Sequence, residues 1–395
     1  MIKRKIPFQK NDKPGFFIYG YFGAENAGDE MILSAFLRAL ESRTHGAARV
    51  AVASADSGGR FEQCHRASAG ELELAFVRRS RNPLGWSNLK NFWNCDCLVY
   101  PGGGIFQDYG TLSFWCYYSM VLAAKFLGRG VFILFQGFTG LRSPLHRKAL
   151  EYLVRNIADH VSVRDESSKA FLPPAKYPSG TKTADASFIL YDYLRCASRE
   201  ARDNGEGGFY TVGISFREWK GFGPREAAEV VKTVLEDPGA RVRLYAMQSP
   251  ADEDFNAAVA SELSSEDCMR LEVYGLICDF HEFAVSIAAN SYNVGMRFHF
   301  CAASAMCAVA CIGLSYDDKV LELFRQMNLK ELCIVLSPSG LTREGGLCAK
   351  LRARASLARR RRMEIGARLD AFSSSGSSIA MDLFDEFIRH AGIGL

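Results

Sequence analysis

The chain has 395 residues, 48% of them apolar and 23% charged, the balance of ordinary globular proteins, which excludes a disordered or fibrous chain. That length exceeds one small core and suits two domains of common size. Lys and Arg number 48 against 44 Asp and Glu, a net charge of +4, too mild to mark a nucleic-acid binder on electrostatic grounds.

The N-terminal stretch is basic but leads only into the short apolar run Phe16–Tyr19, unlike a secretory leader with its long hydrophobic region and cleavage site. Strands are then expected at Phe16–Tyr19, Arg49–Ala53, Leu72–Phe76, Cys97–Tyr100, Val131–Phe135 and His160–Val163. Helices are expected at Glu30–Glu41, Leu112–Phe126, Pro144–Ile157 and Glu166–Phe171. Such alternation favours a parallel, doubly wound sheet, with Val131–Phe135 covered on both faces. The polar, glycine-containing segment Ser198–Gly208 interrupts it and reads as a linker.

Beyond the linker the alternation restarts. Strands are expected at Tyr210–Ser215, Arg241–Ala246, Arg270–Tyr274, Tyr292–Val294, Val309–Leu314 and Leu332–Val335. Helices between them are Pro224–Leu235, Asp252–Leu263, His281–Ala289, Phe298–Ala308 and Asp318–Met327. The fold class is therefore α/β: two doubly wound, Rossmann-like domains facing across a cleft, residues 1–197 and 209–370, with 198–208 as linker. Residues 371–395 form a loop and a C-terminal helix: Phe372–Ser378 is Ser-rich and read as loop, and Ile379–His390 is an amphipathic helix. No internal repeat is evident. Ligands of such folds bind outside the carboxyl ends of strands.

The longest apolar stretch, Phe300–Leu314, is shorter than the ~20 residues that span a bilayer. The twelve cysteines include no C-x-x-C. A reduced, cytoplasmic, soluble chain is expected, at most peripheral to a membrane. One feature bears on the latter, the Arg-rich segment Ala349–Met363 with Arg359, Arg360, Arg361 and Arg362. It reads either as a solvated helix face or as a patch for anionic lipid headgroups.

Four segments carry chemistry. Gly20 to Glu30, with Gly23, Asn26, Gly28 and Asp29, follows a strand and precedes a helix that Asp29 is placed to cap. Its spacing matches neither the dinucleotide fingerprint nor a P-loop. Tyr100 to Asp108 holds three successive glycines, Gly102, Gly103 and Gly104, whose chain-entropy cost points to something approaching the backbone. Gln107 and Asp108 there are candidates to project toward the cleft as hydrogen-bonding groups for polar hydroxyls. In His160 to Ser168 a strand ends in Arg164-Asp165, either a structural ion pair with an ordinary cap or a guanidinium fork for an anion. Asn293 to His299 sets Arg297 and His299 beside a helix start, positive potential together with a titratable group. Downstream, Ser315-Tyr316-Asp317-Asp318-Lys319 opens another helix with Lys319. The histidines lack zinc-ligand spacing, and no G-x-S-x-G elbow is present.

In this order, the segment ending Gly28-Asp29-Glu30, the Gly102–Gly104 run, Val163-Arg164-Asp165 with Ser168, and Arg297-x-His299 before Ser315–Lys319 resemble the polysaccharide pyruvyl transferase family. The resemblance extends from about residue 15 to 330; Phe298 stands where the family commonly has Leu, and Met296 where it has a small polar residue. It implies a fold like that of GT-B glycosyltransferases. It also implies a reaction in which phosphoenolpyruvate, as co-substrate, forms a pyruvate ketal on a sugar and releases phosphate, with no metal and no further cofactor. The implied donor-binding residues are Arg164, Arg297, His299 and Lys319, with Arg297 and His299 catalytic and His299 either proton donor or phosphate partner. Gly23, Asn26, Gly28, Asp29, Gly103, Gly104, Gln107 and Asp108 would line the acceptor side. The acceptor would be a sugar of a cell-surface or exopolysaccharide precursor, free or lipid-linked; nucleic acid is not an expected partner. Two alternatives stay open, a GT-B glycosyltransferase using a nucleotide-sugar and a non-catalytic glycan-binding relative.

Overall fold

A computed structural model describes residues 13–55, 59–108, 111–138, 140–174, 182–201, 209–337 and 346–393. The chain forms two compact units. The first comprises residues up to 24, 29–189 and 376 onward; the second comprises 25–28 and 190–375.

In the first unit, six parallel strands are β1 (Gly15–Phe22), β2 (Arg49–Ser54), β3 (Glu73–Arg78), β4 (Cys97–Tyr100), β5 (Gly130–Gln136) and β6 (His160–Val163). They lie in the order β3-β2-β1-β4-β5-β6. β5 is buried at every position, as its unbroken apolar run requires of a strand covered on both faces. The helix Ala27–Thr44 and the end of the C-terminal helix cover one side, where Phe36, Phe384 and Phe387 meet edge to face or tilted. Phe92, Phe114, Met120, Leu150 and Val154, from three further helices, cover the other.

The second unit's strands are β7 (Tyr210–Ser215), β8 (Ala240–Ala246), β9 (Leu271–Leu276), β10 (Tyr292–Gly295), β11 (Cys311–Ser315) and β12 (Cys333–Val335). Their order is β12-β11-β10-β7-β8-β9. Read from the other edge this is the same 3-2-1-4-5-6 winding as the first sheet, so the two units repeat a topology that the sequence does not repeat. Each sheet reverses its winding between its first and fourth strands, where doubly wound folds open a crevice for ligands.

Two sequence expectations are corrected. Ser198–Ala201 is not linker but the last turn of the helix Tyr191–Ala201, because Ala197, Ser198 and Ala201 are buried on its apolar side; 202–208 lie outside the described residues. Phe372–Ser378 is not a loop. A helix runs from Arg362 to Ala391 through it, since Ile365, Leu369, Ser373 and Ala380 are buried along one side and tertiary packing outweighs the weak helix preference of serine and glycine. Among the described residues no helix is long and apolar enough to cross a membrane.

Candidate active site

The strand ends of the second unit converge at its switch point. β10 ends at Gly295, and Met296 N donates to Ser215 O of β7 at 2.9 Å, so Arg297 emerges beside the end of β7. Beneath it, buried Asn290 and Asn293 are joined at 2.8 Å, and Asn293 Nδ2 donates to Ser304 Oγ at 3.0 Å. These bonds pin the helix Phe298–Met306 to β10 and fix where Arg297, its N-cap residue, and His299 stand.

Arg297 is committed along one edge. Nε donates to Asp252 Oδ2 at 3.1 Å, Nη2 donates to Asp252 Oδ1, and Nη2 also reaches Gln248 Oε1 at 3.3 Å. Asp252 is buried and also accepts from Met247 N at 3.0 Å. This bidentate pair holds the guanidinium plane in place, and Nη1 has no hydrogen-bond partner among the described residues. Tyr316, after β11, lies within electrostatic reach of Arg297. Burial and then Asp317 raise its pKa, and Arg217 and Arg297 oppose them. Arg217, just past β7, donates to Tyr316 Oη at 3.1 Å and lies over its ring. Asp317 caps the next helix through Lys319 N at 3.1 Å, which sets half-buried Lys319 just past the end of β11.

The N-terminal glycine segment contributes directly here. Asn26 bridges Gln248, Ala27 N donates to Met247 O at 2.8 Å, and Ser249 N donates to Glu25 O at 3.0 Å. Residues 25–28 are thereby laid on the end of β8. A Cβ at Gly28 would stand 2.2 Å from His299 Nδ1, so only glycine admits the imidazole there. Asn26, Gly28, Arg297, His299 and Lys319 thus belong to one unit. Asp29 is not the cap expected of it: the helix starts at Ala27, and Asn26 Oδ1 closes its turn by accepting from Gly28 N at 3.1 Å.

The remaining sequence-selected residues belong to the first unit, around its own switch point between β1 and β4. Gly103 holds φ +92°, a left-handed conformation open to glycine; its backbone joins Gln136 and its Cα faces Asp29. Gly23 N donates to Glu30 Oε1 at 2.8 Å. Gln107 is buried with its amide against Gly104. Asp108 is bound within its own unit. It accepts from His146 Nδ1 at 2.5 Å, Ser143 N at 2.7 Å and Arg142 N. Burial raises its pKa, but these three donors outweigh burial and hold the carboxyl below its ordinary value. Arg164 is buried between two carboxylates, with Nε 3.3 Å from Asp165 and Nη1 3.7 Å from Asp185. Asp165 in turn accepts from Ser167 and Ser168, whose Oγ takes Phe138 N at 2.8 Å.

Sequence reasoning missed Gln248, Asp252 and Arg217; the first and last directly follow strand ends, which is the signal that could have marked them. It also missed a buried chain in which Glu30 Oε2 meets His65 Nε2 at 2.8 Å and His65 Nδ1 meets Ser34 Oγ at 3.0 Å. That chain fixes the carboxylate that holds Gly23. Nothing in the spacing of His65 announces it. Among the described residues no group of three His, Cys, Asp or Glu side chains is placed to hold a metal ion.

Solved structures share the fold at low identity. Staphylococcus aureus MnaA in complex with UDP has a TM-score of 0.63 and 9% identity, covering 96% of this chain and 98% of that one. Anabaena HepE in complex with UDP and glucose gives 0.61 and 11%, covering 95% and 99%. The UDP-GlcNAc 2-epimerase of Neisseria meningitidis bound to UDP-GlcNAc gives 0.58 and 9%, covering 95% and 99%. These likenesses establish a GT-B-type fold. No protein of curated function matches the sequence. The model of the polysaccharide pyruvyl transferases, by contrast, matches residues 26–318. That span begins at the Asn26 laid on β8 and ends at the helix start beside Lys319, and the chain belongs to the polysaccharide pyruvyl transferase family.

Proposed function

We propose that the protein transfers the three-carbon unit of phosphoenolpyruvate to two hydroxyls of a sugar in a surface-polysaccharide precursor, forming a pyruvate ketal and releasing phosphate. The observation that carries this reading is the meeting, within one unit, of Gly28 with His299 beside an Arg297 fixed by Asp252. Phosphoenolpyruvate is small and densely anionic. The Nη1 edge of Arg297, Lys319, Arg217 and the N-terminal N–H groups of the helix Phe298–Met306 offer the charge it needs.

The reaction balances without a further reagent. The methylene carbon takes a proton and becomes the methyl group, and His299 is the group assigned to deliver it. The adjacent carbon gains carbocation character, and one sugar hydroxyl attacks it and loses its proton. A second hydroxyl then adds as the carbon–oxygen bond to phosphate breaks. Its proton leaves with phosphate or solvent. Arg297 and Lys319 stabilise the charge gathering on phosphate, a role that fixed donors perform better than water. In this reading Gly23, Asp29, Gly103 and the loops around them serve the acceptor.

The test is phosphate release from phosphoenolpyruvate with purified protein and a panel of sugar acceptors, together with the ketal methyl signal by NMR. His299→Ala is expected to abolish both while the circular-dichroism spectrum stays unchanged. Undiminished phosphate release by His299→Ala overturns the assignment. Stabilisation by UDP but not by phosphoenolpyruvate in a thermal shift would favour a nucleotide-sugar enzyme instead.

A further inference from the structure

The helix Thr111–Phe126 is apolar on both sides. Its inner side packs Phe114, Tyr117, Met120 and Val121 into the core, while Leu112, Leu122 and Phe126 on the outer side are 69%, 45% and 88% exposed. A helix covering a sheet ordinarily turns charge to that side, yet this one holds a single lysine and no acid. The helix Trp86–Asn94 lies alongside. Asn88 Nδ2 reaches Met120 Sδ at 3.5 Å, and Arg129 Nη2 donates to Trp93 O at 3.3 Å. Its outer side carries Trp86 and Trp93, 82% and 78% exposed. Two tryptophans and a phenylalanine exposed on neighbouring helices exceed the scattered apolar residues of an ordinary surface.

The segment leading into and through the second of these helices carries charge of one sign, whereas Lys125 on the first is paired with Asp159 at 2.6 Å. From Arg78 to Asn94 there are Arg78, Arg79, Arg81 and Lys90 and no Asp or Glu. Asn88 Nδ2 ties the turn beside Arg81 to the helix through Ser80 O and Asn82 O, at 2.9 and 2.8 Å. The arginine-rich segment of the second unit differs. There Arg352 pairs with Glu236, Arg359 with Asp237 and Arg361 with Glu364, so much of its charge is met by carboxylates.

We propose that this face of the first unit docks on an anionic lipid bilayer. Trp86, Trp93, Leu122 and Phe126 enter the headgroup boundary, and Arg81, Lys90 and Arg129 meet lipid phosphates. Indole rings suit that boundary because one part is apolar and the N–H is polar. Exposed apolar side chains among cations are the pattern of surface-lying anchors. The inference does not depend on the reaction proposed above.

The full chain is mixed with vesicles of phosphatidylcholine and phosphatidylglycerol, and with phosphatidylcholine alone. Co-sedimentation is expected with the anionic vesicles, with tryptophan emission shifted to the blue and quenched by brominated lipid. The W86S/W93S/F126S variant is expected to lose about tenfold in partition, and R81E/K90E, which touches no core position, to lose the preference for the anionic lipid. An R359Q/R360Q/R362Q variant should bind like the unaltered chain. The proposal is overturned by an absence of quenching in the unaltered protein, by equal sedimentation of the tryptophan variant, or by a dimer in solution that the tryptophan substitutions dissolve.

Discussion

His299 has its place because residue 28 lacks a side chain. Gly28→Ala puts a methyl group 2.2 Å from the imidazole nitrogen, and the ring must move by an ångström or more. Displacement on that scale costs about a hundredfold in turnover when the ring acts on the reacting carbon. Gly28→Ala should therefore lower kcat by that order while its melting curve stays near the unaltered protein's, and unchanged turnover would separate His299 from the chemistry. Asp252 is the second residue on which the geometry rests. Asp252→Ala leaves a largely buried guanidinium without its carboxylate, a change that costs about 3–5 kcal/mol and would show in chemical denaturation of the second unit. Asp108 gives a pH-dependent counterpart in the first unit. Its folded pKa lies below the ordinary 3.8, so its contribution is complete above that value and fades as the pH falls through the lower, folded one. Asp108→Asn should cost about 2 kcal/mol at neutral pH, and its stability gap to the unaltered protein should narrow in acid.

Among the elements, the C-terminal helix shows how far local sequence can mislead. The run Phe372-Ser-Ser-Ser-Gly-Ser-Ser378 has loop composition, yet Ser373 is buried and the helix passes through it unbroken. Ser374→Pro, at an exposed position, should then cost about 3 kcal/mol, and Ser374→Ala should gain a few tenths of a kcal/mol. A true loop would be nearly indifferent to both. The strands were far more legible. β4, β5 and β6 stand within a residue of their sequence positions because buried parallel strands are continuous apolar runs bounded by polar turns. Of the site, Gly28, Arg297 and His299 could be selected as residues but not as neighbours. What brings residues 25–28 onto β8 is backbone bonding from Ala27 and Ser249, which no side-chain pattern encodes. Asp252 was readable only as the start of a helix, since an ion partner 45 positions away leaves no local trace.

In the whole molecule, one topology is used twice and each copy keeps its chemistry-bearing loops at the strand ends flanking its switch point. The first unit spends its polar groups largely on itself. Arg164 is enclosed by Asp165 and Asp185, and Asp108 by His146 and its neighbours. The second unit instead gathers Arg217, Arg297, His299 and Lys319 after the ends of β7, β10 and β11, the proposed site of the anionic donor. A crystal structure of the protein with phosphoenolpyruvate bound tests that assignment most directly. The phosphate should lie at the N-terminus of the helix Phe298–Met306, within hydrogen-bond reach of Arg297 Nη1, with the methylene carbon turned to His299. Phosphoenolpyruvate held by Arg164, with His299 and Arg297 untouched, would contradict it.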